Sequence, residues 1–369
     1  MTRKSTRPIA GRRNSKPLRV GFVPLADCAP LIMADELGLF KKHGLNVRLS
    51  REIGWATIRD KIIYGELDAA HALAAMPFAA TFGLGSIPCE CLTALVLNLN
   101  GNAITLSNDL WMRGVRDARS LRGEIENARG KKVYTFGVVF PFCSHNFLLR
   151  QWLAAGGIDP DQDVRIVTVP APSMFENLKS GNLDGYCVGE PWNTVAVQAG
   201  LGWCVTTSVH LASWHPEKVL MVRRQFAEEH ETEHLALVAA ITEACAFCDQ
   251  TENREQVVAT IAYPKYVNAS VEALRGSMMG TFDFGNGRVE TLPDFHVFSR
   301  HDANEPSTEK SAWILRNLFS SGVVKNRSAA LTGAEVFRPD IFHEAMDLVN
   351  ETKGNQSESN EASALVLHS

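Results

Sequence analysis

Leu18-Arg19-Val20-Gly21-Phe22-Val23-Pro24 is a short, largely apolar run closed by proline. The stretch from Pro30 to His43 that follows carries apolar residues at helical spacing, with Gly44 as its stop. Strand followed by helix is the unit from which parallel sheets flanked by helices are built, and here it recurs. Leu45 to Ser50 reads as a strand, Ala56 to Tyr64 as a helix, Asp68 to Leu73 as a strand, Pro77 to Gly83 as a helix and Cys91 to Asn98 as a strand. After Asn102 the order repeats: strands at Ala103 to Leu106, Val133 to Val139, Val164 to Val169 and Gly185 to Val188, and helices at Leu121 to Ala128, Ser144 to Ala155, Ser173 to Lys179 and Pro191 to Gly200. The fold class is therefore α/β.

The chain continues with Trp203 to Ser208, a turn at His215-Pro216 and a strand-like Val219 to Val222. Beyond that nearly everything reads as helix: Gln225 to Thr251, Arg254 to Ala262, Val271 to Gly280 and Ser307 to Phe319. Two similar halves and a helical remainder predict two lobes joined by extended crossings near Ala103 to Ser107 and Val205 to Ser208, with the ligand cleft between them. The expected division is a basic arm over 1–17, lobe 1 over 18–104, lobe 2 over 105–206, a return to lobe 1 over 207–350 and a tail over 351–369. The tail is rich in Ser, Asn and Glu and is expected to be disordered.

At 369 residues, 45% hydrophobic and 21% charged, the composition is that of a folded globular protein large enough for two lobes. The 37 basic and 41 acidic residues give a net charge of −4, which weighs against a protein that coats phosphate backbones. Arg3, Lys4, Arg7, Arg12, Arg13, Lys16 and Arg19 crowd the first nineteen residues, leaving 30 basic against 41 acidic in the rest, a balance of −11. That arm has no apolar run and reads as a solvated tail rather than an export signal, since a signal needs roughly 7–15 apolar residues after its basic part. A cytoplasmic location is the expectation. The eight cysteines show no disulfide framework, and the Cys245-Ala246-Phe247-Cys248 pair lies in a helical stretch without a second pair, which favours packing over metal or redox chemistry.

Two predicted helix starts bear on chemistry. Ser144 is a plausible N-cap with His145 in the first turn, and Gly189-Glu190-Pro191-Trp192 places glycine before a helix and proline near its first position. Free backbone N–H groups and the positive end of the helix dipole favour an anion at such places, although any helix has one, and His145 alone reads more readily as a packed core residue.

Five segments appear in order: Leu25-Ala26-Asp27-Cys28-Ala29-Pro30-Leu31, Gly54-Trp55-Ala56-Thr57-Ile58-Arg59-Asp60, Trp152-Leu153-Ala154-Ala155-Gly156-Gly157-Ile158-Asp159-Pro160, Cys187-Val188-Gly189-Glu190-Pro191-Trp192-Asn193 and His215-Pro216-Glu217-Lys218. Together they resemble the nitrate- and bicarbonate-binding proteins of ABC transporters, over about residues 18 to 350. The resemblance implies a type II periplasmic-binding-protein fold with an oxyanion in the cleft, held by Trp55, His145, Gly189 and Lys218. Asn102 stands where that family usually has glutamine, one methylene shorter. Indole, ammonium and backbone N–H groups only donate, and His and Asn can present donors, so the set suits a small anion that only accepts. In the bicarbonate branch an acidic, metal-assisting residue resembles the counterpart of Lys218, so a lysine there implies nitrate or nitrite, no metal and no cofactor. Arg59 and Asp60 read as structural support or exposed charges.

Without an export signal, the chain is similar to the cytoplasmic nitrate and nitrite sensors of the NasS type, which hold a NasT-type RNA-binding antiterminator inactive until the anion arrives. The alternative is an exported binding component of a nitrate transporter. A third, enzymatic reading comes from pyrimidine-precursor synthases of the same fold class, which use a histidine with a Cys-rich segment. No such segment occurs here, and Cys143 near His145 lacks an identifiable base, so no enzymatic activity is expected.

Overall fold

The computed structural model describes residues 16–324 and 335–349. The expected disordered tail and all but the last two residues of the basic arm lie outside the described residues.

Strands β1 (Leu18–Phe22), β2 (Val47–Arg51), β3 (Ala69–Leu73) and β4 (Cys91–Asn100) open the first lobe. Every residue of β3 and β4 is buried, as expected of strands covered on both faces. The chain then enters the second lobe, whose five-stranded sheet has the order β7-β6-β8-β5-β9, with β5 (Asn102–Ser107), β6 (Thr135–Val138), β7 (Arg165–Thr168), β8 (Gly185–Gly189) and β9 (Gly202–Thr207). It returns as β10 (Pro216–Arg223), which inserts between β3 and β4, antiparallel to both. With a last short strand, β13 (His296–Val297), the first sheet is completed to β13-β4-β10-β3-β1-β2. Helices cover both sheets, so the α/β, two-lobed expectation holds, but the sheets are mixed: β5 also runs antiparallel to β8 and β9.

The crossings sit differently from their expected places. β4 ends at Asn100 and β5 begins at Asn102 in the other sheet, so the first crossing is Asn100-Gly101, with φ of 61° and 99°, rather than Ala103 to Ser107. The second lies after Thr207, through the short helix Ser208–Leu211, because Thr206 and Thr207 still pair within the second lobe. The predicted helix from Pro30 to His43 breaks at Gly38, whose φ of 70° ends one helix (Ala29–Glu36) and starts another (Leu39–Lys42).

The part of the chain after Val222 is not all helix, nor all in lobe 1. β11 (Thr281–Gly285) and β12 (Arg288–Thr291) form a hairpin around Asn286-Gly287, both at positive φ. Its Phe282 and Phe284 pack with Ala103 and Cys204 of the second lobe. β13 (His296–Val297) then pairs with the end of β4. One hydrophobic cluster runs from Leu25, Trp55 and Met76 of the first lobe to Phe140, Met174 and Val188 of the second, so the lobes are closed on each other.

Candidate functional site

The cleft is built where strand ends and helix starts of both lobes meet. From the first lobe come Asp27, on a single 3-10 turn after β1, Trp55, the first residue of the helix Trp55–Ile63, His71 in the middle of β3, and Lys218 on β10. From the second come Asn102 at the start of β5, Gly189 at the end of β8, and His145, second residue of the helix Ser144–Ala155. Asn102 and Gly189 are register partners. The Ala26 N–H donates to the Glu190 carbonyl at 2.8 Å, bonding backbone to backbone across the cleft.

All five expected anion ligands arrive in this one place. Trp55 and Lys218 face each other, the ammonium 5.4 Å from the indole centroid. A Cβ on Gly189 would lie 3.4 Å from Asp27 Oδ2 and 3.5 Å from Asn102 Oδ1, so that backbone closes one wall. Trp55, Asn102, His145 and Lys218 are buried to 1% exposure or less. A ligand can enter only when the lobes part, by hinge motion at the two crossings.

Burying an ammonium is costly unless it is paired. Lys218 Nζ lies 2.6 Å from Glu217 Oε1 and 2.7 Å from Asp27 Oδ2. Burial alone would lower the lysine pKa, but the two carboxylates outweigh it and raise it, so Lys218 stays charged. Burial pushes the Asp27 carboxyl up, yet Lys218 and a 2.9 Å contact with His71 Nε2 hold it well below the usual range. Glu217 behaves likewise: Lys218, His145 and His215 outweigh burial and keep it ionised. Its Oε2 accepts from Asn102 Nδ2 at 2.6 Å and from the Ser144 hydroxyl, with His215 Nε2 at 3.1 Å.

Donors remain. Trp55 Nε1 and His71 Nδ1 have no hydrogen-bond partner in the protein, and neither ring nitrogen of His145 has one. Burial lowers the His145 pKa to about 4. Buried polar groups are almost always paired, so several unpaired ones facing one cleft mark a place built for a polar ligand.

Residues 11–262 match the model of the NMT1-like family. The chain belongs to that family. Among its relatives, the nitrate import ATP-binding protein NrtC of Synechocystis is 42% identical over 334 residues, covering 89% of this chain and 49% of NrtC. The nitrate/nitrite binding protein NrtA of Synechococcus elongatus is 32% identical over 342 residues, covering 89% of this chain and 77% of NrtA. The chain thus spans about half the length of its ATP-binding relatives and most of its binding-protein relatives. The crystal structure of the periplasmic nitrate-binding protein NrtA from Synechocystis superposes with a TM-score of 0.86 at 29% identity, covering 90% of this chain and 88% of that one. The aliphatic sulphonate binding protein SsuA of Escherichia coli, at 14% identity and a TM-score of 0.61 over 85% and 90% of the two chains, shares the fold alone.

In this NMT1-like chain the second expected anion-binding helix start has one of its backbone donors occupied. The helix spans only Trp192–Gln198, and its Thr194 N–H is taken by Glu190 Oε2 of the chain itself. Cys143 is buried, its thiol pushed up to about 12, and its Sγ donates to the Phe140 carbonyl. Arg59 and Asp60 bond to each other at 2.7 Å, and Arg59 also reaches the Gly85 carbonyl. Among the described residues, no three His, Cys, Asp or Glu are grouped to hold a metal.

Sequence reading missed Asp27, His71, Glu217 and His215. Successive strand residues face opposite sides, which would turn Glu217 away from the site that Lys218 faces. Irregular pairing with β4 on both sides of Lys218 brings Glu217 and Lys218 into one cleft, the re-aiming a bulge provides. The signal lay in the chemistry of the His215-Pro216-Glu217-Lys218 segment, not in its alternation.

Proposed function

We propose that the protein binds nitrate or nitrite between its lobes. The observation that carries this reading is the convergence of unpaired, buried donors at Trp55 and His145 beside the Lys218 ammonium, in a chain akin to nitrate-binding proteins. A small planar monoanion offers only acceptors and matches that lining, with Asn102 and the Gly189 backbone completing the walls. Lys218 favours such an anion over a metal-assisted bicarbonate. Calorimetric titration of nitrate, nitrite, bicarbonate and an alkanesulfonate tests it. Saturable one-to-one binding of nitrate or nitrite, retained after EDTA treatment, is expected. Binding of bicarbonate or the sulfonate alone would refute it.

The relatives support a transport role: a receptor that hands the anion to a membrane pump. A second reading keeps the anion and changes the recipient, with a cytoplasmic sensor holding a NasT-type antiterminator in one lobe arrangement and releasing it when the anion stabilises the other. It is supported by the cysteines, all eight free and seven of them buried, which suits a reducing compartment. Size-exclusion chromatography with the antiterminator, with and without nitrate, separates the two. A complex that dissolves on adding nitrate supports the sensor, and failure to form one leaves the transport role.

A further inference from the structure

Nitrate and a carboxylate are alike to a binding site, planar groups that present acceptor oxygens around a trigonal centre. Glu217 is fully buried, and three of the five expected anion ligands already face its carboxylate: Lys218 Nζ at 2.6 Å, Asn102 Nδ2 at 2.6 Å and His145 Nε2 at 3.5 Å. The Ser144 hydroxyl at the start of the His145 helix and His215 Nε2 complete its shell. The cleft therefore carries an anion of its own on the donors an incoming anion needs.

The charges limit what can happen next. Asp27 and Glu217 bring two negative charges against the Lys218 ammonium. His215, just before β10, lies between two acceptors, the Ala212 carbonyl at 3.0 Å and Glu217, and can add at most one positive charge. Burial lowers the pKa of His71 on β3, His145 on its helix and His296 on β13, and raises that of the Cys143 and Cys187 thiols, so these remain uncharged. An added monoanion leaves a buried excess of at least one negative charge, which a site out of water does not tolerate.

Resting on the anion-binding function, we propose that Glu217 is an internal competitor for the anion, displaced from Asn102 and Lys218 when nitrate or nitrite binds, and that one proton enters the cleft with the anion. His145 is the natural recipient, with both ring nitrogens unpaired and the Glu217 carboxylate beside it. One proton transfer accompanies binding: an O–H bond of a solvent hydronium breaks, an N–H bond forms at a ring nitrogen of His145, and the imidazolium then donates to the anion and to Glu217. The device couples anion binding to uptake of a solvent proton, and weakens the site in alkali.

Titrating nitrate into the full chain at about pH 6.5, in two buffers of different ionisation enthalpy, counts the protons. Uptake of about one proton per nitrate is expected, with the dissociation constant rising about tenfold per pH unit toward alkali. Glu217→Gln keeps the volume and removes the charge. It is expected to bind nitrate at least tenfold tighter than the native chain at about pH 8, with proton uptake largely lost. Nitrate binding by the native chain with no proton uptake and equal affinity at about pH 6 and pH 8 would overturn the inference while leaving the anion function standing. A nitrate affinity that depends on a divalent cation instead of a proton would overturn it too. Absence of nitrate and nitrite binding by both proteins at every pH would sink the anion function itself. Should the variant not fold, the proton count on the native chain decides alone.

Discussion

Replacing Lys218 with methionine removes the ammonium and keeps most of the side-chain volume, leaving two buried carboxylates without their shared cation. Breaking a buried ion pair costs about 3–5 kcal/mol, mostly from the charge left behind. Glu217 keeps Asn102, Ser144 and His215, and Asp27 keeps His71, so the lower part of that range, about 3 kcal/mol, is expected near neutral pH. The loss has a sign in pH. In the native chain Asp27 and Glu217 are held below their unfolded values, so they add stability above the unfolded carboxylate range, and it is lost as pH falls through their folded values. In Lys218→Met the burial that pushes both carboxyls up is no longer outweighed. Their folded pKa values then rise above the unfolded ones, and the penalty eases as acid protonates them. Urea unfolding followed by circular dichroism should therefore show a deficit of about 3 kcal/mol at about pH 7 that shrinks at about pH 5. Adding Glu217→Gln to the variant should recover much of the deficit, because the pair is coupled. A loss below about 1 kcal/mol, or one of equal size at both pH values, would refute the charge balance described for this cleft.

Three further outcomes follow from single positions. Trp55→Phe keeps an aromatic ring under Lys218 but deletes the indole N–H that has no partner in the protein, so nitrate affinity measured by calorimetry should fall roughly two- to tenfold with the fold intact. Gly101→Ala puts a methyl 2.7 Å from His296 Nδ1 at a φ of 99°, and a loss of about 1–3 kcal/mol in urea unfolding is expected, with wild-type stability counting against the crossing placed there. The Cys89 thiol is lowered to about 7 by the Cys91 Sγ 3.9 Å away and by Arg223, against burial, whereas Cys28, Cys143, Cys187, Cys204, Cys245 and Cys248 are buried with their thiols pushed up. Brief alkylation of the native protein at neutral pH should label Cys89 first, read by peptide mass spectrometry.

Local patterning determined most of the element types in this chain, because apolar period and turn chemistry act over a few residues. The helix Ser144–Ala155 and the fully buried β4 are legible from their spacing and apolar runs, and Asn286-Gly287 marked a hairpin that a helical reading of that region overlooked. The expected ligands Trp55, Asn102, His145, Gly189 and Lys218 were legible only through resemblance, since they come from five elements and their shared cleft is a product of two sheets closing on each other. Tertiary structure alone decided the rest. The insertion of β10 between β3 and β4 sets His71 and Asp27 beside Lys218, and its irregular pairing turns Glu217 into the cleft that strand alternation would deny it. The physical reason is range: periodicity reports which face of one element is apolar, whereas the charge of a buried site is the sum over residues that only long-range pairing brings within a few ångströms.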